Sequence, residues 1–138
     1  MNWMLMPYRR YAEFTGRSRR KEYWMFVLFY FVVMIVLDAA FGTRDVVDAP
    51  GGFYYGTRLV GGAGVIGGLF WLVSIIPHLA VSVRRLHDQD RTGWLLLLLF
   101  LPILGWFALF VLMCLDGTHG ANRYGPDPKN PTNADVFT

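Results

Sequence analysis

WLLLLLFLPILGWFALFVLMCL, from Trp94 to Leu115, runs for 22 residues without a charged side chain. As one α-helix it extends about 33 Å at ~1.5 Å per residue, enough to cross a hydrocarbon core of about 30 Å. It is apolar all round and not along one stripe, which suits lipid better than the flank of a soluble core. Just before it, RRLHDQDRTG (Arg84–Gly93) places five charged residues in ten, and before that Val60–Val83 supplies 24 more residues without a formal charge. Ser74, His78 and Ser82 are the clearly polar side chains of that second run. A third apolar segment, Tyr23–Phe41, carries Asp38 near its far end, where a carboxylate costs much less than at the bilayer centre. These segments predict an all-α integral membrane protein. It is expected to form a single membrane domain over residues 1–138, with three transmembrane helices at about 23–41, 60–83 and 94–115. A short amphipathic N-terminal segment precedes them, and an irregular polar tail, 116–138, follows.

The composition agrees. Of 138 residues, 54% are hydrophobic and 17% charged, against roughly a quarter charged in an average soluble domain. Arginines at 9, 10, 17, 19 and 20 precede the first apolar segment, which has no obvious small-residue cleavage site, so that helix is expected to stay as an anchor and not to be removed as a signal peptide. Cys114 is the one cysteine; no disulfide forms within the chain, and it reads as a small apolar residue at a helix end.

Basic residues orient the helices. Nine of the 13 lie before the first helix or between the second and third, and four in the other two connections. The positive-inside rule therefore predicts a cytoplasmic N-terminus and 84–93 loop, with the Gly-rich connection and the tail on the outer face.

Several local expectations follow. Trp3, Met4, Tyr8 and Tyr11 read as the lipid-facing residues of a surface helix, Ser18 as an N-cap, and Tyr23 and Trp24 as an aromatic belt. Gly42–Thr57 reads as a turn-rich connection. Gly64 and Gly68 stand in a GxxxG relation, suited to close helix packing within the monomer or between copies. Pro77 and Pro102 each remove a helical hydrogen bond. His78 reads either as an intramembrane proton or ligand site or as an imidazole bonding a carbonyl freed by Pro77. Within the polar loop, Arg84 and Asp88 fall one turn apart and can pair. His87 and Asp88 do not face each other on a helix, which argues against a catalytic dyad. Asp88 with Asp90 is a weak cation signal without a phosphate-cradling loop. No catalytic residue, metal site or cofactor is expected.

Three motifs, GRSRRKEYWMF (Gly16–Phe26), VRRLHDQDRTGW (Val83–Trp94) and DGTHGANRYGPDP (Asp116–Pro128), occur in this order between apolar helices. In this the chain resembles the small bacterial inner-membrane family of YhaH and YhaI type, domain of unknown function 805. RRKEYWMF, RRLHD, NRYG and the pairing of Pro102 with Gly105 come nearest to its YhaI branch. The resemblance covers nearly the whole chain and implies a plasma-membrane protein of a few helices, with no enzymatic activity or ligand to carry over.

The topology brings two arginine-rich segments to one face, where they can converge around Glu22 and Asp88. Four acids do not neutralise nine bases there, and the surplus calls for anionic lipid phosphates, each basic residue near such a surface contributing about 1 kcal/mol, or for an acidic protein partner. The expected binding residues are Arg17, Arg20, Glu22, Trp24, Arg84, Arg85, His87, Asp88 and Arg91. A homo-oligomer or a membrane-protein partner is compatible with the same surface, whereas nucleic acid is not, since the basic residues lie against the bilayer without a binding fold. Two other classes remain open: a subunit of an oligomeric transporter or channel lined by Ser74, His78 and the glycine seam, and an enzyme acting on lipid phosphates through His87, Asp88 and Asp90.

Overall fold

The computed structural model describes residues 3–49, 52–59 and 62–129. A single helical turn, α1 (Met6–Arg9), precedes two long helices, α2 (Arg20–Phe41) and α3 (Gly62–Asp88). Both are long and apolar enough to cross a membrane. α2 exposes Leu28, Phe31, Ile35 and Val36, and α3 exposes Val65, Leu69, Leu72 and Ile76, the surface that a hydrocarbon solvent accepts. The first residues of the expected second span, 60 and 61, lie outside the described residues. At 27 residues α3 measures about 40 Å, longer than the hydrocarbon core, so its last turns carry Arg84–Asp88 beyond it. The helix stops where Asp90 takes a left-handed conformation (φ 55°), which a short polar side chain tolerates.

The N-cap of α2 is Arg19, in extended conformation, and not Ser18. Ser18 is buried instead, its N–H donating to the Arg84 carbonyl at 3.1 Å. Between α2 and α3 the turn-rich connection is an antiparallel hairpin, β1 (Gly42–Ala49) with β2 (Gly52–Leu59), which pairs Val46 with Tyr55 and Val47 with Tyr54. Such β-branched and aromatic residues favour a pleated strand, a preference outweighing the glycines around them. Residues 50 and 51 lie outside the described residues.

The third apolar segment departs most from expectation. It is not one helix from 94 to 115 but a 3-10 helix, Gly93–Phe100, followed by α4, Leu104–Cys114. Pro102 has no N–H to offer the Leu98 carbonyl, which accepts instead from the Leu101 N–H at 3.0 Å. Ile103 then turns the chain with φ 64°. Gly105 lets α4 fold back along the 3-10 helix, since a Cβ there would fall on the Leu98 carbonyl; Trp106 Nε1 donates to Leu99 O at 2.9 Å across the same fold. Each limb is about 16 Å long, at ~2.0 Å per residue in the first and ~1.5 Å in the second. Its two ends stand at the same end of α3: Gly93 lies against Val83, and Arg85 donates to the Leu115 carbonyl.

The N-terminal segment does not present Tyr8 and Tyr11 to lipid. Pro77 leaves the Val73 carbonyl, four residues earlier, without a helical donor; the Tyr11 hydroxyl donates to it at 2.8 Å. Tyr8 Oη lies 2.6 Å from Ser74 Oγ, and its ring packs edge-on to Phe26 and Phe29. The N-terminal segment is thus wedged between α2 and α3, and the carbonyl freed by Pro77 is taken by Tyr11 and not by His78. Gly68 has open space where a Cβ would stand, so it makes no close helix contact within the monomer.

Candidate functional site at the polar end of the helices

Asp88 closes α3 and anchors a network reaching three other parts of the chain. Its Oδ1 accepts from Arg17 Nε at 3.0 Å and its Oδ2 from Arg85 Nη1 at 2.6 Å; the side chains of all three are at most 3% exposed. Its carbonyl accepts from the Thr118 N–H at 2.8 Å. Gly117 passes so close that a Cβ would fall on the Asp88 carboxylate. The i, i+3 partner of Asp88 is thus Arg85, whereas the expected partner Arg84 turns to Glu22, Nη2 to Oε1 at 3.1 Å.

Arg17 uses all five of its N–H groups. Beyond Asp88 Oδ1, Nη1 donates to the carbonyls of Gly120 (2.6 Å) and Gly125 (3.4 Å), and Nη2 to those of Thr118 (2.6 Å) and Asp88 (3.4 Å). The guanidinium is a planar fork of five donors, and here the tail supplies most of its acceptors. Arg85 likewise reaches the Met113 and Leu115 carbonyls at the end of α4. Arg84 is fully buried; its Nη1 lies 3.8 Å from Glu13, and its Nε and Nη1 have no hydrogen-bond partner among the described residues.

The described part of the tail, 116–129, is therefore docked. Asn122 donates to the His87 carbonyl at 2.9 Å and pairs with Gly125 in a β-bridge. Tyr124 stacks on the His87 ring, with centroids 3.8 Å apart, while Arg123 bonds Asp90. Asp127 closes the loop by accepting from the Gly120 and Lys129 N–H groups. Burial pushes its carboxyl up, but these two donors together with the charges of Arg17 and Lys129 outweigh it and hold the pKa below the ordinary value. Residues 130–138 of the expected irregular tail lie outside the described residues. With the tail bonded to Arg17, the N-terminal segment and the tail meet at one end of α3, and the expected placement of the two on opposite faces fails. The physical reason is the fold-back at Pro102 and Gly105, which returns the chain to its starting level.

His87 and Asp88 diverge: His87 Nδ1 lies 3.3 Å from the Gly16 carbonyl, while Asp88 faces the arginines. Asp90 is turned to Arg123 and does not converge with Asp88. Among the described residues, no three His, Cys, Asp or Glu side chains are placed to hold a metal ion. Of the expected binding residues, Arg17, Glu22, Arg84, Arg85 and Asp88 are buried, His87 and Trp24 are half-buried, and Arg20 and Arg91 are exposed. Arg20 donates to the Cys114 carbonyl at 3.1 Å and pairs with Asp116 at 2.6 Å. With Lys21, Trp24, Met25 and Cys114 it lines an open cleft of about 360 Å³. Sequence reasoning missed the acceptor role of the tail; the signal available was DGTHGANRYGPDP itself, turn-forming residues whose Asn and Asp side chains bond nearby backbone.

Apolar helices whose polar groups are gathered at one end define a small helical membrane protein. The family model described as protein of unknown function (DUF805) matches residues 11–126, and the chain belongs to that family. It is 40% identical over 129 residues to "Inner membrane protein YhaH" of Escherichia coli (strain K12), covering 94% of this chain and 98% of the relative. Identity to "Inner membrane protein YhaI" of the same strain is 38% over 135 residues, covering 96% and 100%. "Uncharacterized protein YiiR", also of that strain, is 27% identical over 148 residues, covering 86% and 87%. No solved structure matches the chain.

Proposed function

We propose that the protein binds anionic lipid headgroups at the cytoplasmic face of the inner membrane, through Arg20, Lys21 and Trp24. The observation that carries this reading is the cleft between the start of α2 and the end of α4, where two exposed cations, Lys21 and the Asp116-paired Arg20, stand beside a tryptophan. A phosphate there meets Arg20 and Lys21 while its acyl chains lie along Trp24 and Met25, and each cation contributes about 1 kcal/mol. Buried Arg17 and Arg85, satisfied from within the chain, and Arg84, paired with Glu22, form the frame that positions this surface, and exposed Arg91 adds to its charge.

This reading takes α2 and α3 as the two spanning helices and residues 93–115 as a re-entrant hairpin in the cytoplasmic leaflet, with the tail cytoplasmic. Eleven of the 13 basic residues then lie inside, and only Arg44 and Arg58 outside, a sharper asymmetry than three spans allow. Binding is favoured over catalysis because both oxygens of Asp88 are occupied by arginines. Native mass spectrometry of the protein with mixed zwitterionic and anionic phospholipids tests the proposal. Arg20→Ala with Lys21→Ala is expected to lower anionic-lipid retention severalfold; retention equal to wild type refutes it.

A further inference from the structure

We propose that the cleft between α2 and α3 lined by Tyr30, Trp71, Ser74, Ile75, His78 and Leu79 binds the ring of a lipid-soluble quinone. The cleft encloses about 270 Å³, close to the lower limit of roughly 300 Å³ for ligand pockets, which suits a single substituted ring. It lies well away from the basic face: His78 precedes Asp88 by ten residues, about 15 Å along α3. The six lining residues include no formally charged side chain, which suits a neutral occupant entering from the lipid, past the half-exposed Trp71 and Leu79.

Tyr30, Trp71 and His78 make part of its wall aromatic. The Tyr30 ring stacks on Phe70, with centroids 5.6 Å apart and planes at 15°, and His78 stands edge-on to Tyr30 and tilted against Phe26. Ser74 Oγ is already committed to the Phe70 carbonyl and to Tyr8 Oη, both at 2.6 Å. The bond at His78 reaches its backbone carbonyl, from Ser82 Oγ at 2.7 Å; among the described residues its imidazole bonds to none. A neutral imidazole carries one donor and one acceptor, and hydrocarbon offers neither a partner. An acyl chain fills the cleft but leaves the imidazole unpaired. A flat ring bearing carbonyl oxygens fills the cleft, packing against Tyr30 and Trp71, and also accepts the imidazole N–H, which an acyl chain cannot.

The test uses the full chain in lipid nanodiscs, titrated with a decyl-substituted benzoquinone while tryptophan fluorescence is followed. A saturable quench is expected above the linear loss caused by quinone dissolved in the bilayer. His78→Phe is expected to raise the apparent Kd about tenfold, the value of one lost hydrogen bond, and His78→Gln, which keeps a donor, about threefold or less. Decylbenzene, which has the same chain but no carbonyl, is expected not to compete. A purely linear quench, an unchanged Kd in His78→Phe, or full competition by decylbenzene overturns the proposal. The competition decides the matter in wild-type protein even if the variants melt early.

Discussion

Replacing Asp88 with alanine tests whether the polar end of the molecule is held by one carboxylate. Asp88 accepts from two buried guanidiniums, Arg17 at 3.0 Å and Arg85 at 2.6 Å. Removing one partner of a buried ion pair costs about 3–5 kcal/mol, because the remaining charge stays in a poorly solvating site. Here two cations lose the same partner, but each keeps carbonyl acceptors, Arg17 on Thr118 and Gly120 and Arg85 on Leu115. The cost is therefore expected near ~4 kcal/mol and not at twice the single-pair value. At ~3 °C per kcal/mol for a chain of this size, Asp88→Ala melts about 12 °C below wild type. Amide exchange accelerates across 116–127, because Arg17, which loses its carboxylate partner, donates to the Thr118, Gly120 and Gly125 carbonyls of the tail. Asp90→Ala is the control: its partner Arg123 is well exposed, and the loss is about 1 kcal/mol or less. Thermal melting in detergent, followed by tryptophan fluorescence, reads the first quantity and hydrogen exchange the second. An Asp88→Ala protein that melts within about 3 °C of wild type, with the tail still protected, would refute the reasoning.

Three further outcomes are expected. Cys114, exposed at the end of α4, reacts with a membrane-impermeant maleimide in inverted membrane vesicles and not from the outside of intact cells or spheroplasts; labelling from the outer face would place the end of α4 across the membrane. Gly105→Ala destabilises by about 1–3 kcal/mol, the usual cost of overpacking, because its Cβ falls on the Leu98 carbonyl; a melting temperature equal to wild type would mean that α4 does not fold back there. The Asp127 carboxyl lies below its ordinary value, so its contribution to tail docking is complete above that ordinary pKa and disappears as pH falls through the lower folded value. Exchange at the Gly120 N–H, corrected for intrinsic rate, rises in that acid range in wild type and is already raised at neutral pH in Asp127→Asn.

The long helices were legible because an uninterrupted apolar run carries its own length and periodicity, and α2 and α3 start and stop within a few residues of the expected positions. The third segment was misread for a local reason. Apolar composition is the same whether a segment crosses or returns, and the difference rests on Pro102 beside the φ-positive Ile103 and on the small volume at Gly105. The proline was visible as a kink; that glycine would allow the backbone to cross Leu98 is a tertiary fact. The hairpin was hidden by its glycines, though VV and FYY were available as strand formers. At the polar end, Arg17, Glu22, Arg84, Arg85 and Asp88 were legible as a cluster, because charges beside apolar spans must gather at the membrane surface. Their pairing was not, since choosing between Arg84 and Arg85 for Asp88 depends on where the tail and α2 sit.

The charge imbalance that pointed to lipid phosphate has an internal answer and an external one. Arg17, Arg84 and Arg85 are hydrogen-bonded by two carboxylates, Glu22 and Asp88; the remaining donors of Arg17 and Arg85 end on backbone carbonyls of the tail and α4. Carbonyl dipoles satisfy hydrogen-bond geometry without cancelling charge, so the hydrogen bonds of the three arginines leave one positive charge unmatched, and Arg84 Nε and Nη1 unbonded among the described residues. That charge lies at the edge of a low-dielectric slab, where its field is poorly screened. The exposed Arg20 and Lys21 stand over the same frame. Buried arginines thus raise the potential at a surface they do not touch, and neutralising one of them without unfolding the frame should weaken anionic-lipid binding at Arg20 and Lys21.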